Sequence, residues 1–215
     1  MSTVQTLKAN HPQLAVFQKM AREMTGHNPL AKPLKRIVAV GAAYNPERGF
    51  SARDLRWFTH LFMFCAEHDL AIDPNFEIVP LNLRDGQDFL NADFRKSNDI
   101  SADILMACYI PNATAAARGS SPSNDPWWHA VSPHHTEPDA WRVAARETGA
   151  RLIVNYVNNP DSELSIRDFK SANYIEGPVQ NMNIDHMEIR PWYWSFQTLL
   201  RRDWKEGLAR AGIGL

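Results

Sequence analysis

A chain of 215 residues with 44% hydrophobic and 22% charged residues carries enough apolar material for one sizeable core, and its formal net charge of -1 gives no electrostatic reason to bind nucleic acid or an acidic membrane. The only cysteines, Cys65 and Cys108, sit in apolar runs where a free thiol behaves as a small buried hydrophobe, so no disulfide framework is implied. The opening run MSTVQTLKANHPQL lacks the basic segment and apolar core of a secretion signal, and no apolar run approaches the roughly 18 residues of a membrane helix; the expectation is a soluble, cytoplasmic protein whose partner is a small molecule or another protein.

Residues 1–33 read as an N-terminal helix and its lead-in to a first strand. Leu14, Phe17, Ala21 and Met24 recur on one helical face, with Val16 and Met20 beside it, and Gly26 supplies a C-terminal stop. Residues 34–43 (LKRIVAVGAA) become a continuous apolar run, as a strand buried on both faces does, and residues 44–50 (YNPERGF) read as its exit loop. Ser51-Ala-Arg-Asp54 is a capping-box variant opening a helix to about Ala71. Its core stripe is Leu55, Phe58, Leu61, Phe62 and Cys65, with Arg53, Arg56, His60 and Glu67 away from it.

Asp73-Pro74-Asn75 is turn chemistry, and residues 76–83 (FEIVPLNL) read as a second strand in which Pro80 removes a ladder donor and so marks an edge or a bulge. Residues 85–96 fit a short helix with Phe89, Leu90 and Phe94 inward. Residues 101–110 (SADILMACYI) open on an acidic residue and run apolar until Pro111, the pattern of a central strand in a helix-covered parallel sheet.

Residues 111–137 are rich in Pro, Ser, Asn and Trp, and a loop that long in a compact domain carries function or is disordered. Its anchors place it over the C-terminal edge of the sheet. Asn112 can cap a short turn, ATAAAR, ended by Gly119, which offers backbone N–H groups to an anion with Arg118 at hand; a capped turn solvated by water explains the same residues. Thr136-Glu-Pro-Asp139 starts another helix, with Trp141, Ala144 and Ala145 inward, that Gly149 stops. Residues 151–157 (RLIVNYV) are a strand, Leu164, Ile166 and Phe169 mark a short helix, and residues 173–179 (NYIEGPV) a final strand. Pro191 then opens a last helix on which Trp192, Phe196, Leu200, Trp204 and Leu208 recur at intervals of four.

Strands alternating with helical patterns imply βαβ units. The expected fold is α/β: a single three-layer domain over residues 1–215 with a mostly parallel sheet of about five strands, Rossmann-like or flavodoxin-like. Ligands bind such sheets beyond the C-terminal strand ends. That edge gathers Gly41, Tyr44, Asn45, Glu47 and Arg48 after the first strand; Asn82, Arg84 and Asp85 after the second; Asn112 after the third; and Asn155, Asn158 and Asn159 around the fourth. Paired amide donors and acceptors suit a neutral or zwitterionic small molecule, although turns require the same residues.

IVAVGAA, Asp85-Gly-Gln-Asp-Phe-Leu90 and Ala102-Asp-Ile-Leu105 together resemble Rossmann-fold methyltransferases that use S-adenosylmethionine: the first strand and loop of that family, the acidic segment before its central strand, and the start of that strand. Only Gly41 stands where the family has several glycines, and no acidic residue ends the second strand to hold ribose hydroxyls. The resemblance implies a group transferase with S-adenosylmethionine as cofactor, bound near Gly41, Tyr44, Asn45, Asp85 and Asn112.

Three further chemistries are written in the long loop. His129, His134, His135, Glu137 and Asp139 are the densest set of metal-ligand residue types and would serve a metal-assisted hydrolase; their spacing matches no helical His-x-x-x-His pattern and brings no thiolate, so no metal is expected. Cys108 with one of these histidines would form a nucleophile pair, against which stands its place in an apolar strand. Trp127 and Trp128 are costly to leave in water, so they cover a ligand, pin the loop to the body, or bind another protein, the last making this a non-catalytic interaction protein. The catalytic candidates are thus His129, His134, His135 and Cys108.

Overall fold

A computed structural model describes residues 5–24, 32–40, 42, 44–81, 101–108, 148–157, 174–183 and 193–213. A short strand, β1 (Leu7–Lys8), is followed by a 3-10 turn, Pro12–Leu14, whose cap is His11: its Nδ1 accepts the Gln13 N–H at 3.3 Å. The opening helix α1 (Ala15–Met24) buries Phe17, Ala21 and Met24, the face its periodicity predicts. β2 (Leu34–Val40) is the expected first strand.

The expected exit loop is a small hairpin, β3 (Tyr44–Asn45) paired antiparallel with β4 (Gly49–Phe50). Asn45 Oδ1 accepts the N–H groups of Glu47 at 2.7 Å and Arg48 at 3.2 Å, and Gly49 closes the turn at φ +75°. α2 (Ala52–Glu67) begins on Ser51, in extended conformation, whose Oγ accepts the Asp54 N–H at 3.2 Å. It stops at Glu67 rather than near Ala71, because Asp69 turns the chain at φ +54° and the Leu70 N–H closes back on the Cys65 carbonyl at 2.8 Å. Trp57 and Phe64 are buried along with Phe58, Leu61, Phe62 and Cys65 of the predicted stripe, Leu55 is partly buried, and Phe17 of α1 meets Phe58 and Phe62 of α2 at centroid distances of 6.1 and 5.1 Å. Phe62 in turn meets Phe76 of the sheet at 5.2 Å, so α1 and α2 pack together on one face.

β5 (Ile72–Leu81) takes in the expected turn. Its register against β2 shifts between Leu34, opposite Ile72, and Arg36, opposite Glu77, while Asp73 Oδ1 accepts the Asn75 N–H at 2.8 Å; the turn residues form a bulge within the strand. Pro80 stands at an edge as expected. Ala9 N–H bonds the Phe76 carbonyl, so Phe76, Ile78 and Pro80 direct their backbone polar groups toward β1, whose pairing ends at Ile78.

The remaining strands are β6 (Ile104–Cys108), β7 (Leu152–Val157), β8 (Tyr174–Asn183) and β9 (Tyr193–Arg201), followed by α3 (Arg202–Arg210). Among the described residues the sheet has seven strands rather than about five, in the order β1-β5-β2-β6-β7-β9-β8, with β6 at its centre as its sequence predicts. β5, β2, β6 and β7 are parallel neighbours; β1 and β9 run against them, and β8, antiparallel to β9, runs with them. The result is a mixed α/β fold with a mostly parallel sheet. Gly149, at φ +63°, follows helical Thr148 as the predicted stop.

The expected last helix is overturned: residues 193–201 are β9, and only residues 202–210 are helical. An interval of four fits a strand of period two as well as a helix of period 3.6, so Phe196 and Leu200 share one strand face while Trp204 and Leu208 belong to α3. The final strand read at 173–179 is the hairpin partner β8, running on to Asn183.

A row of aliphatic residues, Ile78, Ile37, Ile104, Leu152 and Leu200, crosses five strands in register, and every member is fully buried. Val79, Val38, Leu105 and Ile153 make the next row on the opposite face and are equally buried. Both faces of the parallel strands are therefore covered, which is why they read as unbroken apolar runs. The helix expected at 85–96, the loop at 111–137 and the short helix at 164–169 lie outside the described residues.

Candidate functional site

From β2 the chain crosses through α2 to β5 on one side, then returns past β2 to β6 and β7 on the other. The winding reverses between β2 and β6, and in open α/β sheets ligands sit in the crevice beyond the C-terminal strand ends at that reversal. Val40 opposite Ala107 is the last paired step there, and Cys108 stands one residue on, in register with Tyr156 of β7.

The segment leaving β2 is built tightly. Ala42 is fully buried, and the β3–β4 hairpin is clamped to the N-terminal turn by Gln13, whose Oε1 accepts the Phe50 N–H at 2.8 Å and whose Nε2 donates to the Phe50 carbonyl at 3.4 Å. Tyr44 lies edge-on to Phe50, and Phe50 edge-on to Phe58, at 5.0 and 5.1 Å. The Tyr44 hydroxyl meets His11 Nε2 at 3.0 Å. Because His11 Nδ1 accepts the Gln13 N–H, a neutral imidazole carries its hydrogen on Nε2, and the phenol oxygen accepts it. Of the expected binding residues, Asn45 is thus engaged in its own turn, and Tyr44 is held by aromatic packing with its hydroxyl hydrogen still available to donate.

At the start of α2 stands a group that the sequence reading took only for a cap. Asp54 has no exposed surface. Its Oδ2 accepts the Ser51 hydroxyl at 2.6 Å; its Oδ1 has no hydrogen-bond partner and lies 3.7 Å from the Arg53 guanidinium, which covers the Trp57 ring at 4.8 Å. Capping spacing reveals the first-turn position of Asp54, but nothing in it signals that the carboxylate is fully enclosed.

The opposite edge holds the buried Arg151 and its partner, the partly exposed Asp103. Asp103 Oδ2 accepts the N–H groups of Lys35 at 2.7 Å and Arg36 at 3.0 Å, and Oδ1 accepts from Arg151 Nη2 at 2.9 Å and Nε at 3.2 Å. Arg151 also donates to the carbonyls of Lys32 and Pro33, both at 2.7 Å. Burial pushes the Asp103 pKa up, but the Lys35 N–H, the Arg151 guanidinium and the Arg36 N–H outweigh it and hold the carboxyl below its ordinary value. Asp103, part of the segment Ala102-Asp-Ile-Leu105, thus ties the starts of β2, β6 and β7 together, at the N-terminal edge of the parallel strands.

Gly41, Asp85, Asn112, Trp127, Trp128, His129, His134 and His135 lie outside the described residues. Among the described residues no group of three or more His, Cys, Asp or Glu could hold a metal, and no helix is long and apolar enough to cross a membrane. Burial pushes the Cys65 thiol far up its scale, so this cysteine is a packing residue of α2 and no nucleophile. No protein-family model matches the chain, and no curated protein matches it.

Proposed function

We propose that this chain is a small-molecule-binding α/β enzyme whose ligand occupies the C-terminal edge between β2 and β6, and that it is a group transferase using S-adenosylmethionine. The observation that carries the reading is the reversal of strand order at β2, which supports a ligand at this edge because open α/β sheets bind ligands at such a reversal. The start of α2 bears on the ligand class. Its first turn is capped by Ser51 and carries Asp54, an acidic beginning that opposes a pyrophosphate and favours a cationic, phosphate-free nucleoside. S-adenosylmethionine is such a molecule; when bound it supplies an electrophilic methyl group. The chain's part is to enclose it at the edge and present hydrogen-bonding groups, with Tyr44 as a donor.

Calorimetry and thermal melting with S-adenosylmethionine and S-adenosylhomocysteine test the reading. Binding to the native state alone, at about 100 times Kd, contributes about 2.7 kcal/mol, so the melting temperature rises by several degrees. No heat and no shift at millimolar ligand would remove the transferase reading and leave the fold without an assigned ligand.

A further inference from the structure

We infer that His11 is a pH-sensitive latch: its neutral imidazole ties the β3–β4 hairpin to the N-terminal turn, and a second ring proton, taken from solvent on Nδ1, loosens that tie. Both ring nitrogens are committed in the neutral form. Nδ1 accepts the Gln13 N–H at 3.3 Å, and Nε2 lies 3.0 Å from the Tyr44 hydroxyl, to which it donates. An imidazolium is a donor at both nitrogens, so Nε2 keeps its bond to Tyr44 while the new Nδ1–H is set against the Gln13 N–H, donor against donor. The side-chain cap of the turn Pro12–Leu14 is then lost.

Gln13 carries the loss to the hairpin. The residue whose N–H is capped by His11 is also the one whose carboxamide holds both the N–H and the carbonyl of Phe50, and it sits so closely over Gly49 that a Cβ there would overlap it. Tyr44 and Phe50 are register partners in the hairpin, so the turn grips both of its strands, Tyr44 through His11 and Phe50 through Gln13. His11 itself is only half-buried, which gives a solvent proton access to the ring.

The surroundings of the ring do nothing to offset the lost cap. Tyr44 is the titratable group that meets it, edge-on at a centroid distance of 5.6 Å. Among the described residues no carboxylate lies within ion-pair range of His11 to hold an imidazolium in place. Lys8 of β1 is paired with Glu77, the hairpin's Glu47 and Arg48 are exposed, and at the start of α2 Arg53 and Asp54 face each other. The latch therefore holds while the ring is neutral and weakens as the pH falls.

The test follows the His11 ring by nitrogen NMR, assigned by its absence in His11→Asn, together with the exchange protection of the Gln13 and Phe50 amides between about pH 8 and 5, the range in which imidazoles charge. The neutral ring is expected to carry its hydrogen on Nε2. Protection of both amides, corrected for the intrinsic pH dependence of exchange, is expected to fall about threefold to tenfold in step with the ring's titration, the effect of losing one hydrogen bond. His11→Asn supplies a cap acceptor that does not titrate, so its protection at Gln13 and Phe50 stays level, and the Leu105 and Met106 amides of β6 stay level in both proteins. A neutral ring protonated on Nδ1, a ring that stays neutral throughout, wild-type protection that ignores the titration, or the same fall in His11→Asn would each overturn the inference. No ligand enters the experiment, so its outcome is independent of the transferase reading.

Discussion

Asp103 and Glu77 are both acidic and both paired, yet their surroundings give them different weight. Glu77 bridges Lys8 of β1 and Arg36 of β2 in one cross-strand row, but the Lys8 side chain is 63% exposed, so Lys8→Ala costs under about 1 kcal/mol. Asp103 faces an Arg151 side chain only 9% exposed and also carries two strand N–H groups, so Asp103→Asn costs about 2–4 kcal/mol in urea unfolding. The pH dependence has a definite sign. The hydrogen bond from Lys8 leads the causes that hold Glu77 below its ordinary value, and Asp103 is depressed as well. A depressed folded pKa gives stability that is complete above the unfolded value, about 4, and is lost as the pH falls from there through the folded one. Stability measured from pH 5 down to 2 should therefore fall, with a shallower slope in Asp103→Asn; parallel slopes would contradict the role of Asp103.

The glycines separate conformational cost from collision at the level of elements. Gly149, after the helical turn at Thr148, has φ +63° and open space where a Cβ would lie, so Gly149→Ala costs about 1 kcal/mol through backbone strain alone. Gly49 has φ +75°, and a Cβ there would overlap the Gln13 carboxamide, so Gly49→Ala also breaks the clamp on Phe50 and costs about 2 kcal/mol. In a double-mutant cycle Gln13→Ala lowers the cost of Gly49→Ala by about 1 kcal/mol; strict additivity would show that the clamp carries no energy. Such pairings are not legible in the sequence, where Gln13 is one polar residue on a helix start. The parallel strands β2, β6 and β7 are legible because burial on both faces leaves an apolar run with no alternation to misread. β9 is not, since Phe196 and Leu200 satisfy two periods at once, and the strand continues into a helix whose Trp204 and Leu208 keep the same interval. The turn at 73–75 is correctly read as chemistry and misplaced in topology: a bulge uses the same residues as a loop. On the candidate site, position alone nominates Tyr44 and Asn45 from the sequence, whereas the enclosure of Asp54 depends on contacts that no local pattern records.

For the whole molecule, the proposed function assigns different work to the two edges of the sheet. The N-terminal edge is closed by Asp103, Arg151 and the carbonyls of Lys32 and Pro33, and Arg201 adds a bond from Nη1 to the Gly149 carbonyl at 2.8 Å. The Asp103 carboxylate and the Arg151 guanidinium there are each held by several hydrogen bonds, which join the starts of β2, β6 and β7. The C-terminal edge has the reversal of winding, and it is where the proposed function puts the ligand. Hydrogen exchange with and without S-adenosylhomocysteine tests this division most directly. The expected result is added protection in residues 40–54 and 104–108, with residues 32–36 and 148–152 unchanged; protection confined to the Asp103–Arg151 edge, or no change at either edge at millimolar ligand, would contradict it.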